Sequence, residues 1–255
     1  MPIDLNCDLG ESSEPSQLES DTRLLDSVSS VNIACGFHAG GLELMRHTVR
    51  LAKEKGVAVG AHPGFRDPEG LGRRAVVMPP EELEDLVAYQ VGALAGIAAL
   101  EGTRLSHVKP HGALYNMAAQ SSEVAEAVAR AVAAIDSQLV LVGLAGSQLI
   151  AAARTMGLTG AQEAFADRAY HPDGTLVSRE RQGAVIDDER EVVTRALSIA
   201  REGHVLSWDG QPIQVHADTI CVHGDTPGAD RLARSIKQAL LDAGIRIVAL
   251  GTSHA

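Results

Sequence analysis

Aromatic residues and cysteines are scarce in this chain. Only 3% of the 255 residues are aromatic, and a single tryptophan is present. This scarcity favours close packing of helices on strands over an aromatic-rich binding surface. The three cysteines lie far apart and form no CxxC pair, so neither a structural zinc site nor a disulfide framework is indicated. Buried free thiols are expected at Cys7, Cys35 and Cys221.

Basic residues are also fewer than acidic residues. The 22 Lys and Arg residues face 33 Asp and Glu residues, which gives a net charge of -11. This balance argues against nucleic acid or an anionic membrane surface as the main partner. No apolar run reaches the roughly 20 residues that cross a bilayer, and residues 1–10 lack the basic start and apolar core of a signal peptide. The sequence predicts a cytoplasmic protein.

Short apolar runs alternate with longer helical patterns along the chain, which is typical of repeated βα units and a parallel sheet. No linker, repeat or low-complexity tract interrupts them, so residues 1–255 are interpreted as one domain. The candidate strands are Ile3–Leu9, Val31–Phe37, Val57–Ala61, Leu105–Lys109, Leu139–Leu144, Leu158–Phe165 and Thr219–His223, with Arg246–Leu250 as an eighth candidate. The candidate helices are Leu42–Lys55, Pro80–Leu100, Ser122–Ile135, Ser147–Met156, Asp188–Glu202 and Ala229–Ala243. Residues 11–21 and 171–186 are interpreted as long loops.

The candidate strands carry one apolar face and one small or polar face. In the first strand Asp4, Asn6 and Asp8 share a face, while Ile3, Leu5 and Cys7 share the other. A parallel strand covered by helices on both sides should be apolar on both faces. A barrel of seven or eight parallel strands accounts for the pattern, with the polar faces turned towards a central cavity.

The segment HVKPHGALYN, residues 107–116, follows the same rule. His107 and Lys109 share a strand face, and Pro110 and Gly112 end the strand. This places Lys109 and His111 at the carboxyl end of a strand, where catalysis occurs in α/β folds. The strand ends also carry Asp8, His38, His62, His223 and Asp225. Each residue alone could be a satisfied core residue or a helix cap, but their coincidence predicts a functional site.

Two further patterns concern anions. The glycine- and proline-rich segment His62–Arg74 carries Arg66, Arg73 and Arg74, and it is a candidate carboxylate or phosphate clamp, although exposed arginines are usually just solvated. The P-loop pattern GxxxxGK[ST] does not occur. A self-contained P-loop is therefore excluded.

The motifs taken together resemble the LamB/YcsF family across nearly the whole chain. The motifs are DLNCDLGE, SVNIACGFHAG, GAHPGF with GLGRR, HVKPHGALYN, GLAGS, EAFADRAY and CVHGD. The sequence departs from the family pattern at residues 12–15 (SSEP) and 40–42 (GGL). The resemblance implies an irregular (β/α) TIM-like barrel related to the glycoside hydrolase and deacetylase barrels.

The resemblance also implies a reaction, namely opening of the 5-oxoproline lactam to L-glutamate coupled to hydrolysis of ATP to ADP and phosphate. The family supplies the A subunit of a 5-oxoprolinase that contains two further subunits, B and C. Such chemistry needs proton transfer and cations for the developing negative charge. Asp8, His62 and His111 are the expected proton-transfer groups, and Lys109 is the expected charge stabiliser. The expected substrate-binding residues are Asn6, His38, Arg73, Arg74, Asp167, Arg168, His223 and Asp225.

Two other functions remain open from the sequence. One is a metal-dependent deacetylase-like hydrolase, in which an aspartate and two histidines bind a divalent ion. The other is a non-catalytic subunit that binds a small ligand.

Overall fold

Seven parallel strands close into a barrel in the computed structural model, which describes residues 2–222 and 228–251. The strands are β1 (Asp4–Leu9), β2 (Ser30–Ala34), β3 (Ala58–His62), β4 (Leu105–Val108), β5 (Val140–Leu144), β6 (Gly160–Phe165) and β9 (Thr219–Val222). They are hydrogen-bonded in this order, and β9 pairs with both β6 and β1. The predicted barrel is confirmed, with seven strands in the part of the chain described here.

The eighth candidate strand does not join the barrel as a strand. Of Arg246–Leu250, only Ile247 forms a bridge, which is an isolated parallel pair with Ile3. Because β9 already occupies the free edge of β1 over residues 4–7, the C-terminal segment reaches only the end of that strand.

Eight helices are present in the described ranges, and most surround the barrel. They are α1 (Pro15–Leu24), α2 (Leu42–Glu54), α3 (Pro80–Leu100), α4 (Gly112–Gln120), α5 (Ser122–Ile135), α6 (Gln148–Thr155), α7 (Glu189–Glu202) and α8 (Ala229–Asp242). All six predicted helices are found, with ends that differ by at most one residue from the prediction. A short antiparallel hairpin, β7 (His204–Leu206) with β8 (Pro212–Gln214), follows α7.

Two helices lie where the sequence pattern did not indicate them. Residues 11–21 were expected to be a loop, but Pro15 begins α1, in which only Asp21 and Leu24 are buried. Proline suits a first helical position, and so narrow an apolar face leaves little periodic signal. Helix α4 begins at Gly112, which was interpreted as a turn residue and adopts a φ of 52°.

The two faces of the strands have the predicted orientation. Outward-facing residues such as Leu5, Val31 and Ile33 are fully buried beneath the helices. The inward faces do not enclose an empty centre, because their polar side chains fill it and bond to one another. At the lowest level Asp4 accepts hydrogen bonds from the hydroxyls of Ser30 and Thr219. The cavity therefore lies above this network, at the carboxyl ends of the strands.

Helix α3 is long and apolar enough to cross a membrane by length and composition alone. In this fold it packs against α5, β3 and β4, and it buries Val87, Val91 and Leu94 completely. It begins with Glu81 and Glu82 in its first turn. The helix therefore has the contacts of a barrel-covering helix. The three cysteines are buried and free, as predicted.

We expect Gly60→Ala to disrupt the barrel interior. Gly60 pairs with Asn32 on one side and with His107 on the other, and a Cβ atom there would lie 2.1 Å from Nε2 of His107. The ring cannot retreat without breaking its contacts, so a loss of about 1–3 kcal/mol or more in the free energy of unfolding is expected. Urea unfolding measures it. Gly96→Ala in α3 is the matched control because nothing lies within 4 Å of its added methyl group; equal effects of the two variants would contradict this account.

Candidate functional site

The predicted catalytic residues meet at one end of the barrel. Asp8 lies near the end of β1, His62 ends β3, Lys109 follows β4, and His111 precedes the first residue of α4. All four line the same cavity. Four of the predicted strand-end groups thus converge on one cavity.

The ammonium group of Lys109 is the centre of the buried network. Its Nζ atom lies 2.9 Å from Oδ1 of Asp8 and 2.9 Å from Oε1 of Glu163. It also lies 3.2 Å from Sγ of Cys221, and the residue is only 2% exposed. Burial alone would lower the pKa of Lys109, but Asp8, Cys221 and Glu163 together raise that pKa well above its ordinary value. Lys109 is therefore a fixed positive charge.

Asn6 lies beneath this ammonium group and is 1% exposed. Its amide nitrogen donates to Glu163 (3.0 Å) and to Thr219 (2.7 Å), while its carbonyl oxygen accepts from Asn32 (2.8 Å). It is not part of the cavity wall in the described residues. Asn6, predicted to bind substrate, instead holds Glu163 in place under Lys109.

A hydrogen-bonded chain leads from His107 to Asp8. Asn32 donates its amide protons to Asp8 (2.8 Å) and Asn6, so its carbonyl oxygen must accept from Nε2 of His107 (2.8 Å). The other ring nitrogen of His107 accepts from the Ser106 hydroxyl at 2.7 Å. The chain fixes both the tautomer of His107 and the orientation of the Asp8 carboxylate.

The free energy of unfolding should depend on pH through His107. Burial, followed by the charge of Lys109, lowers the pKa of His107 from 6.5 to about 3. The unfolded chain binds a proton below about pH 6.5 and the native ring does not, so the free energy of unfolding should fall as pH drops towards 3, by up to about 1.4 kcal/mol per pH unit. We expect His107→Gln to flatten this slope in urea unfolding between about pH 7 and pH 4. An unchanged slope would contradict a neutral buried ring.

His62 and His111 are each oriented by a backbone carbonyl. Nδ1 of His62 lies 2.7 Å from the carbonyl oxygen of Lys109, and Nε2 of His111 lies 2.8 Å from that of Leu71. A carbonyl oxygen only accepts, so these ring nitrogens carry the protons. The remaining nitrogens, Nε2 of His62 and Nδ1 of His111, face each other at 2.9 Å. In the neutral rings both carry lone pairs.

Two further groups adjoin this pair. The ring of His38 stacks on that of His111, with centroids 3.9 Å apart and planes 3° from parallel. A carboxylate oxygen of Glu11 lies 3.4 Å from Nδ1 of His111 and 3.8 Å from Nε2 of His38. Glu11, His38 and His111 each offer one atom to a group in which all three lie within 4.8 Å of one another. Among residues 2–222 and 228–251, this is the group of side chains close enough together to be considered for a metal ion.

Burial and neighbouring charges shift the pKa values of these three groups. Burial, more than any other cause, lowers the pKa of His38, and it lowers that of His111 to about 3. Burial would raise the pKa of Glu11, but the polar contact with His38 and the charges of the other histidines bring it below its ordinary value. The ionised form of Glu11 is therefore favoured.

A cavity of about 790 Å³ opens above these groups. Its floor carries Asp8, Glu11, His62, Lys109 and His111. Its outer wall includes Arg73, Arg168, His171, Thr175, Ser178 and Arg179. The long segment after β6 thus covers the mouth, as its length suggested. Cationic side chains in such a wall suit carboxylate or phosphate groups.

The predicted anion-binding residues have different positions. Arg73 lines the cavity, but Arg74 turns away and bonds to Asp67, and its side chain is 62% exposed. Arg168 reaches the wall, although its guanidinium group also donates to the carbonyl oxygens of Val177 and Ala184. Asp167 is buried and lies outside the cavity wall in the described residues. Arg73 and Arg168 thus remain candidates for binding an anionic substrate.

The remaining predicted residues do not line the cavity in the described part of the chain, and several residues of the site had no predicted role. His38 lies behind His111 and is 1% exposed, while His223 and Asp225 fall outside the residues that the structure describes. The sequence argument assigned no role in the site to Glu11, Asn32 or Glu163, and it placed His107 on the inward strand face without giving it a role. The signal available for Glu163 was its charge, because Glu163 shares a strand face with the apolar residues Ala161 and Phe165.

The fold and the site define an α/β-barrel protein with a buried lysine–carboxylate cluster at the mouth of the barrel. Residues 3–255 match the LamB/YcsF family, and the chain belongs to this family. The chain is 52% identical over 246 residues to a protein of Rhodopseudomonas palustris (strain BisA53) that is named as the A subunit of 5-oxoprolinase, and the match covers 96% of each chain.

Solved structures agree with this assignment. The crystal structure of the lactam utilization protein from Thermus thermophilus superposes with a TM-score of 0.91 at 46% identity, covering 98% of this chain and 100% of that one. The structure of the T48 deacetylase with substrate gives a TM-score of 0.50 at 12% identity, covering 98% and 88% of the two chains. The second likeness concerns the fold alone, and it agrees with the predicted relation to deacetylase barrels.

Proposed function

We propose that this protein is the A subunit of an ATP-dependent 5-oxoprolinase that opens the lactam of 5-oxoproline to L-glutamate. The Lys109 cluster at the cavity floor carries the proposal, because it places a fixed cation beside a carboxylate at the mouth of the barrel. The names of its relatives, a 5-oxoprolinase component and a lactam utilization protein, support the same reaction. We further propose that it works with subunits B and C, in the cytoplasm.

The proposed reaction begins with activation of an unreactive amide. The lactam oxygen takes the γ-phosphoryl group of ATP, and ADP leaves. Water then adds to the activated ring carbon, the carbon–nitrogen bond breaks, and the nitrogen leaves with a proton. A second water molecule hydrolyses the resulting acyl phosphate to glutamate and phosphate. The steps need a base for water, an acid for nitrogen and cations for the oxygen charge.

The residues of the cavity floor match these needs. Asp8 is held by Lys109 and Asn32 through one carboxylate oxygen, and its other oxygen lies 3.4 Å from Nε2 of His62. Asp8 can therefore accept a proton from water, and the His62–His111 pair can relay one to nitrogen. Lys109 is placed to stabilise the negative charge of the phosphoryl group and of the oxygen that water adds to the ring carbon.

The outer wall of the cavity suits the anionic parts of the substrates. Arg73 and Arg168 would bind the carboxylate of 5-oxoproline or the phosphates of ATP. Burial, with a smaller effect of Arg179, lowers the pKa of Arg168 to about 10, which leaves its guanidinium charged at neutral pH. The volume of about 790 Å³ lies within the usual range of small-molecule sites. Because the chain has no P-loop, we propose that the nucleotide site is shared with one of the partner subunits.

Reconstitution tests the proposal. We expect the purified chain, mixed with subunits B and C, to form glutamate and phosphate in equal amounts from 5-oxoproline and ATP. Subunits B and C without this chain should release neither product. Equal turnover with and without it would show that the chain is not catalytic, whereas ligand binding without turnover in the complete mixture would identify a binding subunit.

A further inference from the structure

Two buried polar atoms near the cavity floor form no hydrogen bond. They are Oη of Tyr115 and Oε2 of Glu163, and neither has a partner among residues 2–222 and 228–251. Tyr115 is 5% exposed, and Glu163 is fully buried. Burial, and then the charge and polar contact of Glu163, raise the pKa of Tyr115 well above its ordinary value. A protonated hydroxyl therefore lies close to a carboxylate, but the geometry between them falls short of a hydrogen bond.

The position of Tyr115 is set by its helix and by one aromatic contact. Its amide donates to the carbonyl oxygen of His111 in the first turn of α4, at 3.2 Å. Its ring meets that of Phe165 edge to face, with centroids 5.9 Å apart, and the Phe165 ring lies 5.6 Å from Nζ of Lys109. Buried hydroxyls nearly always have a partner. Tyr115 thus keeps an unused donor beside the Lys109 cluster.

Lys109, in contrast, has no unused proton. Its ammonium group carries three N–H donors, which face Asp8, Glu163 and Cys221 at 2.9, 2.9 and 3.2 Å. To stabilise negative charge on a substrate, Nζ must shift towards the cavity. Asp8 lines the cavity, whereas Glu163 and Cys221 are not in its wall in the described part of the chain. The shift therefore keeps the contact with Asp8 and gives up the contact with Glu163.

This shift would leave the Glu163 carboxylate short of partners. Its Oε1 atom would keep the amide of Asn6, at 3.0 Å. A buried charge that loses its ionic partner is strongly unfavourable unless another group replaces that partner. The Tyr115 hydroxyl is a neighbouring donor that is not already engaged.

We propose that Tyr115 is a positioning residue for Lys109, and that its hydroxyl donates to Oε2 of Glu163 when the ammonium group shifts towards the substrate. At rest, Lys109 and Asn6 hold Glu163 through Oε1, and the hydroxyl makes no hydrogen bond. In the transition state the hydroxyl replaces the lost ammonium contact. The inference rests on the proposed function, because it gives Tyr115 a part in the same reaction.

Tyr115→Phe tests this role, because it removes the hydroxyl and keeps the ring against Phe165. With subunits B and C, we expect kcat to fall about 10- to 100-fold, the equivalent of one hydrogen bond to a charged group, with a smaller change in KM. The Tm should not fall, since the hydroxyl is unpaired at rest. Tyr89→Phe is the matched control. Tyr89 is 65% exposed and stacks on Phe37 through its ring, so kcat and Tm should stay at the parental values.

Glu163→Gln shows whether Tyr115 acts through Glu163. It removes the charge that the hydroxyl is proposed to stabilise, so adding Tyr115→Phe should lower kcat by no more than about a further threefold. Such non-additivity is expected of residues that act as a unit. If the two effects multiply in full, Tyr115 acts without Glu163 and the inference is overturned.

A second result also overturns the inference, namely a kcat of Tyr115→Phe within about threefold of the parental value, whether or not its Tm is lower. Circular dichroism checks that each variant is folded at the assay temperature. Both results leave the proposed function in place, provided that the parent forms glutamate. No glutamate from the parent with subunits B and C would contradict the proposed function itself, and the inference with it.

Discussion

Lys109→Met should lower the free energy of unfolding by about 3–5 kcal/mol, the usual cost of removing one partner from a buried ion pair. The substitution leaves Asp8 and Glu163 facing each other without the cation that lies 2.9 Å from each. Thermal melting and urea unfolding measure the loss. Lys53→Met, at an exposed lysine, is the matched control and should change stability by no more than about 0.5 kcal/mol.

The same variant separates a structural lysine from a catalytic one. If Lys109 also stabilises charge that appears in the transition state, kcat of the folded variant should fall about 10²- to 10³-fold, with a smaller change in KM. Lys109→Arg should not restore it, because a planar guanidinium does not replace a compact ammonium group. Adding Glu163→Gln should recover part of the stability but none of the rate. A folded Lys109→Met protein with nearly full kcat would leave Lys109 only its ion-pair role.

Asp8→Asn should abolish lactam opening while the barrel stays folded. Asparagine keeps the oxygen that accepts from Asn32, and Lys109 keeps its bond to Glu163. The amide cannot take a proton from water, and loss of a general base typically costs about 10²- to 10⁴-fold in rate. Turnover of 5-oxoproline with subunits B and C, beside a melting curve, measures both effects.

The control for this variant is Asp242→Asn, at the exposed end of α8. It should have parental activity and stability. More than about a tenth of the parental rate in Asp8→Asn would contradict the role of Asp8 as base, given the size of ordinary general-base effects.

The barrel was predictable because its strands carry two different faces. Asp4, Asn6 and Asp8 alternate with Leu5 and Cys7, and this period of two determines which face is turned inward. The convergence of His62 and Lys109 followed from the same rule, since parallel strands end at one edge. The alternation of side chains along each strand and the parallel direction of the strands were sufficient to predict this part of the site.

The partners inside the barrel were not predictable in the same way. Glu163 on β6 meets Lys109, which follows β4, across the interior of the closed barrel, because β5 lies between these two strands in the sheet. Strand alternation does not specify which side chains meet across a barrel. His107 was correctly placed on the inward face, but its position against Gly60 depends on the register of β3 and β4. Arg74 was assigned to the mouth by its loop, whereas a local bond to Asp67 turns it away.

Closure of the barrel between β1 and β9 has a consequence for synthesis of the protein. The hydroxyl of Thr219 bonds to Asp4 across a separation of 215 residues. Strand β1 therefore cannot complete its hydrogen bonds until β9 has been synthesised. At the usual 5–20 residues per second, this wait is about 10–40 s on the ribosome. During that time β1 has no partner strand at one of its two edges. A nascent chain that ends before β9 should therefore be a substrate for chaperones that hold unfolded strands.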